Sequence, residues 1–251
     1  MKQLLLKNLW QSLAAIVFLV VVWIVAYFAV GNKLLIPSFL ESAKEVGELL
    51  ISKGFWQGFA MSLLRAGLAF LFSFALAAIF AVISYLYPSF GGFLAPIVSA
   101  LRSLPVLAVL LILLSFLGAG EAPVAVAFLS LFPMLYTGIL AALSGVDKHL
   151  IEISRVQGTP LYRRVGAIYL PLSAPYILRE AGGALSFSVK LVVSAEVLAN
   201  TAKSLGGMMQ EAKLYGEIPQ LFALVGVAFV AGLVLELAMS FFAEAAEKKI
   251  R

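Results

Sequence analysis

Residues 152–171 read EISRVQGTPLYRRVGAIYLP, a polar and basic interruption in a chain that is 63% hydrophobic and only 12% charged. Asp147 is placed to cap a helix that begins at Lys148. Gly158 is placed to stop it, because glycine accepts the left-handed conformation that ends many helices. Thr159 then offers a second N-cap with Pro160 at the first helical position, and Leu161, Val165 and Ile168 recur at i, i+4 and i+7. Pro171 and Pro175 are expected to end this second helix and turn the chain back into apolar surroundings. Two short amphipathic helices therefore form an elbow over residues 147–171.

The flanking sequence sets the solvent in which this elbow stands. The chain has 251 residues and a mean hydropathy of +1.05, which fits lipid rather than water. A hydrocarbon core about 30 Å thick takes roughly 20 apolar residues per helix. Segments near 13–30, 59–85, 94–117, 124–143, 176–198 and 219–242 meet that need and use the whole length. The expectation is an all-α integral membrane protein of about six transmembrane helices, a single domain over 1–251. The 13–30 run is long for a signal-peptide core and lacks a small-x-small cleavage site, so it reads as a retained helix. Residues 39–51 are amphipathic enough for a short surface helix. Arg102 and Pro105 interrupt 94–117, which is expected to kink, and GAGEAP at 118–123 reads as a tight turn.

Composition excludes several chemistries. There is no Cys and only one His, so disulfides, thiolate catalysis and a zinc site of the usual ligands have no residues to build them. The net charge of +5 is dispersed and carries no nucleic-acid signature. It sorts better by membrane side. With the N-terminus inside, Lys2, Lys7, Lys148, Arg155, Arg163, Arg164, Lys248, Lys249 and Arg251 lie inside, against Lys33, Lys44, Lys53, Lys203 and Lys213 outside. The positive-inside rule then puts both termini, and the elbow between helices four and five, in the cytoplasm.

Charges within apolar segments cost about 2.5–3.5 kcal/mol each on insertion scales, so Arg65, Arg102, Lys190, Glu196 and Glu236 call for partners or water. Ser186, Lys190 and Ser194 recur every four residues, with Gly183 extending the line, and give 176–198 one polar face that suits a solute pathway. Lys190 is the natural counter-charge for an anion there; the competing reading is a structural pair with Glu196 or Glu236. Arg65 and Arg102 read as structural, satisfying helix carbonyls or pairing with Glu236. His149 reads as a surface residue.

The spacing Glu152, Gly158, Ile168, Leu170, Pro171 reproduces the pattern E-A-A-x3-G-x9-I-x-L-P, which resembles the signature loop of ABC importer membrane subunits. The likeness runs from about residue 36 to 242 and is nearest to the nitrate/sulfonate/taurine importer permeases. LIPS (35–38), SLLRAGLAF (62–70), LRSLPVLAVLLIL (101–113), FLGAGEAP (116–123) and SAEVLAN (194–200) also match that group's patterns. Ile153 and Ser154 depart from the family's two Ala, and Lys190 stands where a bulky apolar residue is more usual.

The resemblance implies a type I importer permease-like fold with a cytoplasmic coupling-helix elbow. It implies a half-pore in the bacterial cytoplasmic (inner) membrane that pairs with a second permease subunit, expected to be a second copy. Two cytoplasmic ATPases would receive the elbows, and an extracytoplasmic binding protein would deliver the solute. Glu152, Arg155, Gly158, Thr159, Pro160, Leu161, Arg163, Ile168, Leu170 and Pro171 would then couple to the ATPase, while Ser186, Lys190, Ser194, Glu196 and Arg102 line the pathway. No G-x-x-x-x-G-K-[ST] loop occurs, so ATP and Mg are expected in the partner, with no cofactor and no catalytic or metal residue in this chain. The resembled group carries nitrate, sulfonates, taurine, bicarbonate and also neutral or cationic vitamin precursors, and Lys190 tilts the expected solute toward a small anion such as nitrate, a sulfonate, taurine or bicarbonate. The alternative is a gradient-driven secondary transporter or channel that works without an ATPase. An intramembrane serine protease is disfavoured because Ala142 replaces the glycine that would precede Ser144-Gly145 in its motif, and the one His lies in the elbow loop.

Overall fold

The structure, a computed structural model, describes residues 2–32 and 35–250, except for the side chains of residues 2–13, 15, 16, 148, 155, 162, 249 and 250. Lys33, Arg251 and the side chains of Lys2, Lys7, Lys148, Arg155 and Lys249 therefore lie outside the described residues. Helices α1 (Lys2–Val30), α2 (Phe39–Ile51), α3 (Lys53–Leu86), α4 (Pro88–Ser103) and α5 (Val106–Ser144) precede the elbow. The elbow holds α6 (Lys148–Val156), α7 (Leu161–Arg164) and a π-helical turn (Val165–Tyr169). It leads into α8 (Leu170–Ala199), α9 (Leu205–Tyr215) and α10 (Ile218–Ile250), and no strand occurs among the described residues.

The stretches Lys53–Leu86, Val106–Ser144, Val165–Ala199 and Ile218–Lys248 are long and apolar enough to cross a bilayer, and Val17–Val30 is a shorter apolar helix. The expected third segment differs most from the reading of the sequence. It is two helices rather than one kinked helix, since α4 stops at Ser103 and α5 starts at Val106. Leu104 is extended (φ −65°, ψ 131°), as the residue before a proline is driven to be. The turn expected over 118–123 shrinks to Gly118 alone, at φ 77°, ψ 177°, where a residue without Cβ lets the helix break and restart at once.

Small side chains let the spans approach closely, as lipid-embedded packing requires. Ser62, Ala66, Ala69, Ser73, Ala77, Ala81 and Ser84 are buried along one face of α3. Ser73 Oγ donates to the Ala69 and Phe128 carbonyls (2.7 and 3.2 Å), and Tyr136 OH donates to Ser84 Oγ at 2.9 Å. These bonds join α3 to α5. The expected surface helix is α2, started by a capping box in which Ser38 Oγ accepts from Glu41 N and Glu41 Oε2 accepts from Ser38 N.

One charged group fixes the end of the bundle near α9. The Glu196 side chain is 0% exposed and lies 2.9 Å from Arg65 Nη1. Its other oxygen accepts from Ser62 Oγ at 2.6 Å and from the Gly206 amide at 3.3 Å. Ser62 Oγ in turn accepts from the Leu205 amide at 2.9 Å, so the first turn of α9, whose amides lack helical acceptors, is satisfied by α3 and α8 together. A Cβ at position 206 would collide with Glu196 Cβ and the Val193 carbonyl. The loop before α9 is tied to the break in α5 by Thr201 Oγ1, which donates to the Ala119 carbonyl at 2.7 Å.

Removing one member of a buried ion pair strands the other, so Glu196→Ala is expected to lower unfolding stability by about 3–5 kcal/mol. The double variant Arg65→Met, Glu196→Met should recover much of that loss. Denaturant unfolding of the purified protein in detergent checks both; a wild-type curve for Glu196→Ala would remove the structural role. On α2, burial first, then Glu48 and Glu217, raise the pKa of Glu45 above its ordinary 4.5. Its folded form therefore holds a proton more readily than its unfolded form. Stability should increase as pH falls through that raised pKa toward 4.5, and Glu45→Gln should flatten this part of the pH profile.

Candidate functional site: the elbow and the open face of α8

The elbow begins as its sequence dictates. Asp147 Oδ1 accepts from the His149 amide at 2.9 Å, satisfying one free donor of α6. Gly158 at φ +70° closes the helix, with Gln157 N donating to the Ile153 carbonyl and Thr159 N to the Ser154 carbonyl, each at 3.0 Å. The Arg163 and Arg164 amides both donate to the Pro160 carbonyl at 3.1 Å, so α7 starts one residue later than the Thr159 cap predicted.

The larger difference is at the far end of the elbow. Pro171 and Pro175 do not terminate the second helix; α7 runs through the π-helical turn directly into α8. Pro171 supplies no N–H to the preceding turn, and next to it the ladder slips by one residue, with Leu170 N donating to the Val165 carbonyl. The elbow is thus joined to a membrane-spanning helix without a loop between them.

The two sides of α6 face different environments. Ile151 and Ser154 are buried toward the bundle, and Ser154 Oγ donates to the Ile151 carbonyl at 2.7 Å. On the opposite side Ile153 is 55% and Val156 89% exposed, with Leu150 and Leu161 also exposed. Glu152 is exposed and, with Ile151, Leu161, Arg164, Tyr85 and Tyr169, lines a cleft of about 470 Å³. Arg164 Nε is buried there without an acceptor among the described residues. Gly158, Pro160, Arg163 and Leu170 are exposed, Thr159, Ile168 and Pro171 half-buried, and the Arg155 side chain is outside the described residues.

The proposed pathway residues separate. Lys190 and Ser194 are exposed on α8, and Arg102 is exposed near the end of α4. Ser186 is 2% exposed and packs on α10, where a Cβ on Gly232 would lie 3.2 Å from its Oγ. Each step of four residues turns a helix by about 40°, so Ser186 is rotated roughly 80° from Ser194 and falls on the α10 side. The open face instead runs through Tyr176, Arg179, Gly183, Phe187, Lys190, Ser194 and Leu198. Phe187 was missed because only polar residues were followed; the three- and four-residue spacing of the whole row would have found it. Glu196 is corrected in the same way: enclosed and paired with Arg65, it does not line an open surface and does not pair with Lys190.

A model of the family "Binding-protein-dependent transport system inner membrane component" matches residues 73–251. The chain is 28% identical over 243 residues to the taurine transport system permease protein TauC of Escherichia coli K12, covering 93% of this chain and 87% of that one. It is 23% identical over 217 residues to the putative aliphatic sulfonates transport permease protein SsuC of Bacillus subtilis, covering 85% and 78%. Among solved structures, a chain of a bacterial alginate ABC transporter superposes with a TM-score of 0.65 at 16% identity, covering 97% of this chain and 96% of that one. At that identity the likeness speaks for the fold, which is the all-helical fold of importer permeases. The match over residues 73–251 and the two permease relatives place this chain in the binding-protein-dependent inner membrane component family, as a multi-pass permease subunit of an ABC importer.

Proposed function

We propose that this subunit forms half of the pathway for a small organic or inorganic anion, with a sulfonate such as taurine the first candidate, and is driven by a separate ATPase docked on the elbow. The observation that carries the ATPase reading is the outward side of α6. Ile153 and Val156 point away from the bundle, amid Asp147, Glu152, Arg163 and Arg164, where this chain does not cover them. An apolar surface rimmed by charge marks a protein partner. The continuous backbone from α7 to α8 then passes a displacement of the elbow to the helix that carries Lys190. In this reading the elbow and both termini are cytoplasmic, the chain pairs with a second permease copy, and a binding protein delivers solute near α2 and α9. ATP and Mg are held by the ATPase.

The solute class rests on Lys190, a cation on the open face of α8, and on the taurine and sulfonate permeases among the relatives.

Two variants separate the parts of this proposal. An aspartate at the docking centre leaves a buried charge unpaired, so Val156→Asp should weaken ATPase association roughly a hundredfold, for a cost of about 3 kcal/mol. The permease's own stability should change by less than about 0.5 kcal/mol, as for other exposed sites. Solute-stimulated ATP hydrolysis in vesicles measures the first quantity, and unimpaired stimulation contradicts the docking site. Lys190→Ala should reduce uptake of taurine about tenfold, with Lys190→Arg retaining most of it. Equal uptake by Lys190→Ala, or wild-type preference for a quaternary ammonium over taurine, rejects the anion pathway.

A further inference from the structure

A second cavity, of about 650 Å³, lies between α1, α2, α3 and α10, far from the elbow. Its walls are almost wholly apolar and include Trp23, Val46, Phe59, Phe222, Val230 and Leu235. Both nearby indoles have their N–H groups occupied: Trp23 Nε1 donates to the Pro37 carbonyl at 3.0 Å and Trp56 Nε1 to the Leu50 carbonyl at 2.8 Å. They present ring surfaces to the groove, and indoles held in this way favour the membrane interface.

One polar group breaks the pattern. Ser42, only 3% exposed, lines the groove from α2, and its Oγ has no hydrogen-bond partner among the described residues. Three other buried helix serines return to their own turn, Ser73 to Ala69, Ser173 to Tyr169 and Ser188 to Leu185, and Ser62 donates to Glu196. A buried hydroxyl left alone is costly, so the groove is built to bring an acceptor to Ser42.

Depth and continuity identify the occupant. Along α10 the groove extends from Phe222 to Leu235, a rise of about 20 Å at about 1.5 Å per residue, which exceeds the roughly 15 Å depth of one leaflet in a core about 30 Å thick. Val230 and Val234 belong both to its wall and to the exposed apolar side of α10, together with Phe229, Leu233 and Leu237. The groove therefore opens onto the surface that meets the acyl chains.

We propose that this groove holds one phospholipid, with an acyl chain lying along α10 and an ester carbonyl accepting from Ser42 Oγ. The site joins the α1–α2 pair to the bundle and does not depend on what the permease carries.

Native mass spectrometry of the full-length protein, taken from vesicles of equal phosphatidylethanolamine and phosphatidylglycerol, tests it. One phospholipid per protomer is expected to survive detergent exchange. Ser42→Ala should retain it several-fold less, and Ala231→Phe, which fills the groove, should lose it. Circular dichroism melting of each variant establishes that it is folded, and the isosteric Ser42→Ala serves if Ala231→Phe is not. No retained lipid in the wild type, or undiminished retention by Ser42→Ala, overturns the proposal, as does a peptide occupying the site instead of lipid.

Discussion

A polar group inside a bilayer has no water to fall back on, and the end of the bundle near α9 is organised by how one carboxylate meets that condition. Glu196 has no exposed surface, and its two oxygens accept from Arg65, Ser62 and the Gly206 amide. The same contacts satisfy the start of α9, which holds the loop that Thr201 pins to the break in α5. Three helices thus share one electrostatic anchor, and Thr201 ties α5 to them. That end of the bundle is held as one unit.

At the opposite end the logic is reversed. The elbow keeps Ile151 and Ser154 inside and leaves Ile153 and Val156 outside, so it is stable as a projection yet incomplete as a surface. Its rigidity comes from its connection to α8. Because the helix passes from α7 into α8 through a π-helical turn, a push on the elbow has no flexible loop in which to dissipate. The π register gives a defined place where one turn can tighten or relax.

What was legible in the sequence was local. The Asp147 cap, the Gly158 stop and the short amphipathic helix over 39–51 each depend on residues within a few positions of one another, and each is present. The elbow's spacing also pointed to the right family. What was not legible needed a partner distant in the chain or the rotation of a helix. Glu196 and Arg65 are 131 residues apart, and nothing near either one names the other. Ser186 was misplaced because steps of four drift around a helix, and only the packing of α10 against Gly182 and Ser186 decides which edge is covered. The fusion of the elbow to α8 was hidden because Pro171 normally signals an end, whereas a slipped ladder absorbs its missing donor.

The central claim is that the outward side of α6 is where a separate ATPase grips this subunit. The chain contains no cysteine, so a single Ile153→Cys substitution carries a photoactivatable cross-linker without background labelling. In proteoliposomes that enclose ATP and take up solute through the complete importer, a cross-linked product containing the ATPase is expected, with a yield that changes with nucleotide state. Full uptake without any such product, from this position and from a matching Leu150→Cys substitution, would contradict it.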